Sequence, residues 1–375
     1  MKKEKNKPNS NLEEIYKNSV IRKCKVEENL DSIRLDRYLG NRFSYYSRSK
    51  WQDLIGQGLV LVNGKRIKYT SIIKKGDEIV YHLIGLKEPE IDKNIQIIYD
   101  DGDLIIVNKP ANLPVIPSGK YYYNTLHTIM KETLNSNINM LNRIDRETSG
   151  CVVLSRGHEL ASKFCAMHSP KNSKKNSKKN YKNNSKKNYK EDLKNENSKS
   201  NKIKKTYIAI VENAKNIEKN FTVEGYMEEV GNPFYRRYQI LHKAVKERDI
   251  KEKSIKKYPE NEKLKYSKTK FKTIKKFGDY AVVMARLYTG RMHQIRVHLH
   301  SLGFYMVGDK IYGKYGPEVF NSFIKKSVIP KDFFNRQALH SYKLEFNHPI
   351  TDKPIKVKAP LPNDLKEFIS KIKNY

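Results

Sequence analysis

No stretch of this 375-residue chain approaches the ~20 consecutive apolar residues that a bilayer-spanning helix needs, so a helical membrane protein is excluded and no membrane partner is expected. The N-terminal MKKEKNKPNSNLEEIYKN has basic residues but no apolar segment behind them, which excludes a secretory signal. It lacks arginine and carries early acids, which argues against an organelle transit peptide. Cysteine is scarce. Cys24, Cys151 and Cys165 fall in no CxxC or Cys/His ligand spacing, so a disulfide framework and a zinc site are excluded and a reduced, cytoplasmic protein is expected. Phosphate-cradling GxGxxG and GxxxxGK[ST] loops are missing, as are a GxSxG elbow and HExxH. Acids are the minority, 41 against 75 Lys plus Arg, for a net charge of +34. The Lys-rich segment 171–205 supplies +11 of this and leaves +23 elsewhere. Such a field attracts a polyanion in a salt-dependent way.

What is present is enough for two domains. Hydrophobic residues make up 38%, although the mean hydropathy of −0.78 signals much solvated sequence. Residues 1–20 are polar and read as a disordered N-terminus. From residue 21 to 84 the pattern tightens. Leu35, Leu39 and Phe43 recur on one helical face, Ser47 is a natural N-cap for a helix carrying Trp51, Leu54 and Ile55, and LVLVNGKRI alternates about a type I′ hairpin turn at Asn63-Gly64. KKGDEIVYHL adds a turn and a strand.

The residues Arg34-Leu35-Asp36, Ser47-Arg48-Ser49, Gly58-Leu59-Val60, Val62-Asn63-Gly64 and Gly76-Asp77 resemble the S-four-type (αL) RNA-binding domain. That resemblance implies RNA-phosphate contacts from Arg34, Arg37, Arg48, Lys50, Lys65 and Arg66. Taken singly, each would be read as a solvated surface charge; their clustering favours the binding role.

Residues 85–94 read as a linker, and 95–375 as a second domain. Within it, 170–202 is a Lys/Asn/Ser low-complexity insertion that cannot bury apolar surface, and a charged insertion lies near 244–264. Many short strands with few helices, not in strict β-α alternation, predict an α+β fold with a mixed, mainly antiparallel sheet. A hairpin turns at Gly278-Asp279, and a final helix is expected around Asp364–Lys373.

TGRMHQIRVHLHSLG places Ile295, Leu299 and Leu302 on one face of an amphipathic helix that ends at Gly303. His293, His298 and His300 are five and two residues apart, which is not ligand spacing, so polar or structural roles are favoured. Arg291, just before the helix, would by itself be a surface charge. LNRIDRETSG sets Asp145 in a turn between arginines, an acid without a metal.

NKPANLPVIPSG (108–119), NRIDRETSGCVVLSR (142–156), KTYIAIV (205–211), LYTGRMHQIRVHLHSLGFYMVGDKIYG (287–313) and QALHSYKLEFNHP (337–349) occur in the order seen in the RluA family of pseudouridine synthases. With the module in front, the chain resembles the RluC and RluD type, which act on large-subunit ribosomal RNA. The resemblance implies a catalytic Asp145, an active-site Tyr207, a basic partner Arg291, and Arg143 holding a flipped nucleotide, with Ile295 in the pocket wall. It implies RNA as partner, ribosomal with transfer RNA as runner-up, no cofactor and no metal; a monomer is the default. The rival is a noncatalytic RNA-binding assembly factor. Asn142, Ile144 and Ala111 depart from the family's histidine, leucine and glycine, and Asn142 puts in doubt any substrate contact made by that histidine. A carboxylate at 145 could attack ribose C1′ or remove the C2′ proton, and both routes stay open. Arg146 and Glu147 read as a solvated pair.

Overall fold

The computed structural model describes residues 20–26, 33–43, 46–84, 88–118, 121–168, 203–230, 238–240, 264–316 and 334–373. The polar N-terminus and the Lys-rich insertion fall outside the described residues, as does all but the last residue of the charged stretch near 244–264. The chain divides into two compact units, one of residues up to Glu90 with Ile116–Thr125 and Val230–Arg237, the other of the remainder.

In the first unit, β1 (Val20–Lys25), β2 (Ile33–Arg34), α1 (Leu35–Arg42), α2 (Arg48–Gly56), β3 (Val60–Val62), β4 (Ile72–Ile73) and β5 (Glu78–Leu83) follow in order. Leu35 and Leu39 of α1, Trp51 and Leu54 of α2, and Leu59, Ile73 and Ile79 form one fully buried cluster. Ser47 caps α2 as expected, its hydroxyl accepting from the Lys50 amide at 3.2 Å. Asn63 and Gly64 both take positive φ, +50° and +75°, as a type I′ turn requires. The expected hairpin stops there, however. Residues beyond Gly64 add a single bridge at Lys65, and β3 pairs instead with β5. The Asn63 side chain explains this, since it bonds Asp77 and the Glu78 amide, both at 2.9 Å, and draws the turn toward β5.

The second unit is a twelve-stranded sheet, in which β6 (Gln96–Asp100), β7 (Leu104–Lys109), β8 (Ile138–Met140), β9 (Ser149–Arg156), β10 (Lys204–Glu212), β11 (Asn220–Glu229), β12 (Tyr238–Ile240), β13 (Lys265–Phe277), β14 (Tyr280–Leu287), β15 (Tyr305–Met306), β16 (Leu339–Asn347) and β17 (Pro354–Lys358) take part. Its main path runs β12-β11-β13-β14-β10-β16-β9-β7-β6. Among the described residues only β9 and β16 pair in parallel, so the sheet is mixed and mainly antiparallel, as expected for the α+β fold. The helices are α3 (Leu126–Thr133), α4 (His158–His168), α5 (Gln294–Ser301) and α6 (Asn363–Ile372). The central strand β10 is buried on both faces. Tyr207, Ala209 and Val211 join α5 residues Ile295 and Leu299 in one cluster. Ile208 and Ile210 join Leu365 and Ile372 of α6 in another. This is period-two alternation with apolar cover on each side.

Helix α5 departs from the amphipathic pattern, because Gln294, Arg296 and His298 are buried along with Ile295, Val297 and Leu299. A helix buried all round must satisfy its polar side chains internally, and the site uses two of them.

The parallel β9–β16 contact demands glycine at 150. Its φ is +106°, and a Cβ there would lie 2.3 Å from the Ser341 carbonyl oxygen. Gly150→Ala should therefore cost about 3 kcal/mol or more in unfolding free energy, measured by urea titration. An unchanged midpoint would show that the strand contact is looser than described.

Candidate active site

The LNRIDRETSG loop joins β8 to β9. Its entry is fixed on β9, where the Leu141 amide donates to the Val153 carbonyl at 2.8 Å and the Asn142 side-chain oxygen accepts from the Val153 amide at 2.7 Å. Asn142 is thus buried scaffolding. The next residues alternate in direction. Arg143 is exposed, while Ile144 packs against the cluster that holds Tyr207 and Ile295. A turn then closes from the Thr148 amide to the Asp145 carbonyl at 3.1 Å.

Two buried cations pin this turn by its carbonyls. Lys109, fully buried, donates to the carbonyls of Pro110 (2.7 Å), Leu113 (2.8 Å) and Arg146 (3.0 Å). Burial pushes the Lys109 ammonium well below its ordinary pKa, with nearby Arg336 adding to the effect and Asp145 opposing it. Arg336 donates to the Glu147 carbonyl at 3.2 Å and forks onto Asp364 at 2.6 and 3.0 Å. Glu147 is buried, not solvated: its carboxylate takes Lys310, Arg146 and the Gln337 amide.

These bonds present the Asp145 side chain at 27% exposure. Its Oδ2 accepts from Arg296 Nη1 at 3.0 Å and from Gln337 Nε2 at 3.1 Å. Among the described residues Oδ1 accepts no hydrogen bond, so one carboxylate oxygen is anchored and the other is open. Arg296 is itself held by a fork onto the buried Asp309, Nε to Oδ2 at 2.6 Å and Nη2 to Oδ1 at 2.8 Å, and lies over the Tyr312 ring at 4.9 Å. Asp309 is completed by the amides of Ile311 and Tyr312. Burial opposes ionisation of Asp145, but the Arg296 charge, aided by the Gln337 bond, outweighs it and holds the carboxyl below its usual range. His293, in the left-handed conformation at φ +57° just before α5, is lowered to about 4 by burial and by Arg296, and bonds Tyr312 at 3.1 Å. It is neutral near pH 7.

Tyr207, on β10, is buried in the cluster with Ile295 against which Ile144 packs, close enough to Asp145 to feel its charge. The β10–β16 register shifts between Thr206 and Tyr207, leaving Tyr342 as the extra residue of a bulge, a device that re-aims side chains beside active sites. Burial raises the Tyr207 phenol to about 12; the Asp145 charge adds to this and a Ser341 hydrogen bond opposes it. The resulting constellation is an ionised carboxylate with one free oxygen, a fixed guanidinium, a protonated phenol and an apolar wall from Ile144 and Ile295. It can attack or deprotonate a sugar carbon without an added group. Among the described residues no cluster of three or more His, Cys, Asp or Glu could hold a metal ion.

A sequence model of the RNA pseudouridylate synthase family matches residues 103–197 and 185–301, and one of the S4 domain matches residues 33–79. The chain belongs to the RNA pseudouridylate synthase family. It is an RNA-modifying isomerase, with an S4 domain ahead of its catalytic domain. An uncharacterized RNA pseudouridine synthase of Helicobacter pylori is 28% identical over 356 residues, covering 91% of this chain and 90% of the relative. The corresponding figures are 27%, 93% and 97% for YlyB of Bacillus subtilis, also an uncharacterized RNA pseudouridine synthase. For the ribosomal large subunit pseudouridine synthase D of Buchnera aphidicola from Schizaphis graminum they are 28%, 91% and 94%.

Against the family expectation, the structure brings Asp145, Tyr207 and Ile295 together, with Arg143 on the exposed side of the same loop. It does not bring Arg291 to Asp145. The Arg291 guanidinium donates to the Tyr266 carbonyl at 3.0 Å, and its amide is bound by Gln294 Oε1 at 3.0 Å. Gln294 also takes the Thr289 hydroxyl at 2.8 Å and donates to the Lys268 carbonyl at 3.0 Å, so the TGR turn is folded back onto β13. Arg296, in the first turn of α5, is the partner. Asp309, Gln337, Lys109 and His293 were also missed as parts of this site. All lie within or beside the family blocks, but only contacts between distant segments reveal their roles.

In the first unit, Arg34 and Arg48 are partly engaged by the buried Asp36, at 3.1 and 2.9 Å, together with Gln52 at 2.6 Å. Lys50 pairs with Asp53 at 2.9 Å. The Arg66 guanidinium lies across Gly58, where a Cβ would come within 2.4 Å of it. Arg37 and Lys65 are exposed. Asp36 therefore orients two of the six arginines and lysines expected to meet phosphate, and the other four make other contacts or face solvent.

Arg296→Gln should raise the Asp145 pKa, since burial would then prevail, and move the acid limb of the pH–rate profile upward by roughly 1–3 pH units. It should also cost about 3–5 kcal/mol of stability by stranding Asp309. Arg291→Gln should leave that limb in place. The reverse ranking would restore Arg291 as the partner.

Proposed function

We propose that the enzyme isomerises uridines of large-subunit ribosomal RNA, in the cytoplasm and as a monomer, with Asp145 as the group that opens the glycosidic bond. The observation that carries this reading is the partly exposed Asp145 carboxylate, anchored through Oδ2 and open at Oδ1. A noncatalytic assembly factor would have no use for a buried ion-pair relay ending on an accessible acid. The ribosomal substrate is supported by the printed name of the Buchnera relative and by the S4 domain in front of the catalytic unit.

In the proposed reaction the uridine is taken out of its stack, at a cost of a few kcal/mol. Arg143, exposed one residue before Ile144, secures the flipped nucleotide at its phosphate. Oδ1 of Asp145 bonds to C1′ or takes the C2′ proton as the C1′–N1 bond breaks, the uracil turns, and C5 bonds to C1′ while the Asp145–C1′ bond breaks or the proton returns to C2′. The C5 proton is then lost and N1 gains one, so no atom is exchanged beyond protons. Ile144 and Ile295 form the apolar wall on which the base turns. Tyr207, held as the neutral phenol, packs against the uracil; to accept the C5 proton it must first pass on its own. Arg296 keeps Asp145 ionised and oriented through both routes.

Asp145→Asn should retain RNA affinity and lose pseudouridine formation by at least about 10⁴-fold on unmodified ribosomal RNA. Turnover close to that of the unaltered enzyme would remove Asp145 from the chemistry. Mapping pseudouridines in ribosomal and transfer RNA from cells with and without the protein decides between the two substrate classes.

A further inference from the structure

The large sheet has an outward face that the site does not use. Tyr207 points to the catalytic hollow, so its neighbours Thr206 and Ile208 point the other way, and α6 packs on the Ile208 and Ile210 end of that face. At the Thr206 end the register sets Lys270 of β13, Arg286 of β14, Thr206 of β10, Lys343 of β16 and Lys358 of β17 directly opposite one another. This row crosses five adjacent strands, about 19 Å, and has four cations and no carboxylate among its members. Lys270 opposes Arg286, and Lys343 opposes Lys358. Like charges directly across an antiparallel pair are destabilising.

The next row continues the pattern. Lys204 faces Glu345, which faces Lys356. The Tyr288 ring lies beneath both Arg286, at 5.3 Å, and Lys268, at 5.7 Å. Glu224 pairs with Lys268 at 3.2 Å and Glu345 with Lys343 at 2.7 Å, and Lys356 and Lys204 also act on Glu345. Arg286, Lys204, Lys356 and Lys358 are exposed.

We propose that this face is a second RNA docking surface, which holds the phosphate backbone of the substrate RNA at a distance from the target uridine. The cations are spread along a line and do not converge, which suits an extended polyanion better than a compact anion. Between them stand Thr206 and an aromatic ring, and the exposed members include no apolar side chain of the kind that inserts into a lipid surface. Phosphates along the row would relieve the like-charge opposition and release counterions. The surface lies across the sheet from Tyr207, so it binds RNA that is not in the catalytic hollow. The inference rests on RNA being the substrate, but not on the role of Asp145.

The test compares the full-length enzyme with the triple variant Arg286→Gln, Lys343→Gln, Lys358→Gln. A control variant, Lys366→Gln, Lys371→Gln, Lys373→Gln, removes equal charge from α6 and its C-cap. Binding to in-vitro-transcribed large-subunit ribosomal RNA is measured over a potassium chloride series, alongside binding to a short uridine oligonucleotide. The triple variant should bind the long RNA at least about tenfold more weakly, with the slope of log affinity on log salt reduced by roughly 2–3. Its affinity for the oligonucleotide should be unchanged, and the control should bind both RNAs like the unaltered enzyme. Unchanged affinity and slope for the long RNA would overturn the proposal, as would an equal loss in the control, which would make the effect one of net charge. Pseudouridine formation by the unaltered enzyme is read in the same samples. Its absence would refute the proposed reaction, while the salt slope would still decide the docking surface.

Discussion

A guanidinium shared between two carboxylates organises the catalytic unit. Arg296 gives two of its nitrogens to Asp309, which is buried and further bound by two backbone amides, and one to Asp145. An isolated buried ion pair often contributes little net stability, because desolvation offsets the attraction. Orientation is the better account of this one. The fork onto Asp309 removes the rotational freedom of Arg296, so the remaining nitrogen meets Asp145 from a fixed direction and leaves Oδ1 open. The same charge keeps the acid ionised against the burial that would otherwise neutralise it.

The backbone that carries Asp145 is restrained by a different kind of contact. Lys109 and Arg336 reach the carbonyls of Arg146 and Glu147, so cations hold the turn without placing another carboxylate beside Asp145. Gln337 ties Asp145, Thr148 and Glu147 together through its side chain and amide. The segments involved come from β7, the loop after β8, α5 and the start of β16. A residue far along the chain therefore controls an acid that local sequence would assign to a surface turn. The β16 bulge at Tyr342 belongs to the same construction, since it lets Ser341 pair with Tyr207 while β10 keeps its regular alternation.

That alternation also separates the two chemistries of the sheet. One face of β10 meets α5 and the acid; the other meets α6 and, beyond it, the row of opposed cations. Period-two geometry makes such a division automatic, because adjacent residues cannot serve the same face. Lys204 and the buried Thr206 are thereby committed to the outer face by the same register that commits Tyr207 to the α5 side.

Much of this was legible in the residues alone. Local rules determined the S4 helix capped by Ser47, the I′ turn at Asn63-Gly64, the hairpin at Gly278-Asp279 and the C-terminal helix, since each depends on interactions within a few positions. Ordered motifs pointed to Asp145 and Tyr207. The resemblance pointed to Arg291 as the basic partner, and only the fold-back of the Thr289–Gln294 turn shows that Arg296 of the same motif meets the acid instead. Nor could sequence show that Glu147 is buried or that α5 is enclosed all round, which follow from partners at positions 310, 337 and 309. The sequence by itself determined the family and most local elements, and it singled out Asp145. The tertiary structure decided which guanidinium faces that acid and which lysines share a row, because hydrogen-bond direction and cross-strand register arise only when distant segments meet.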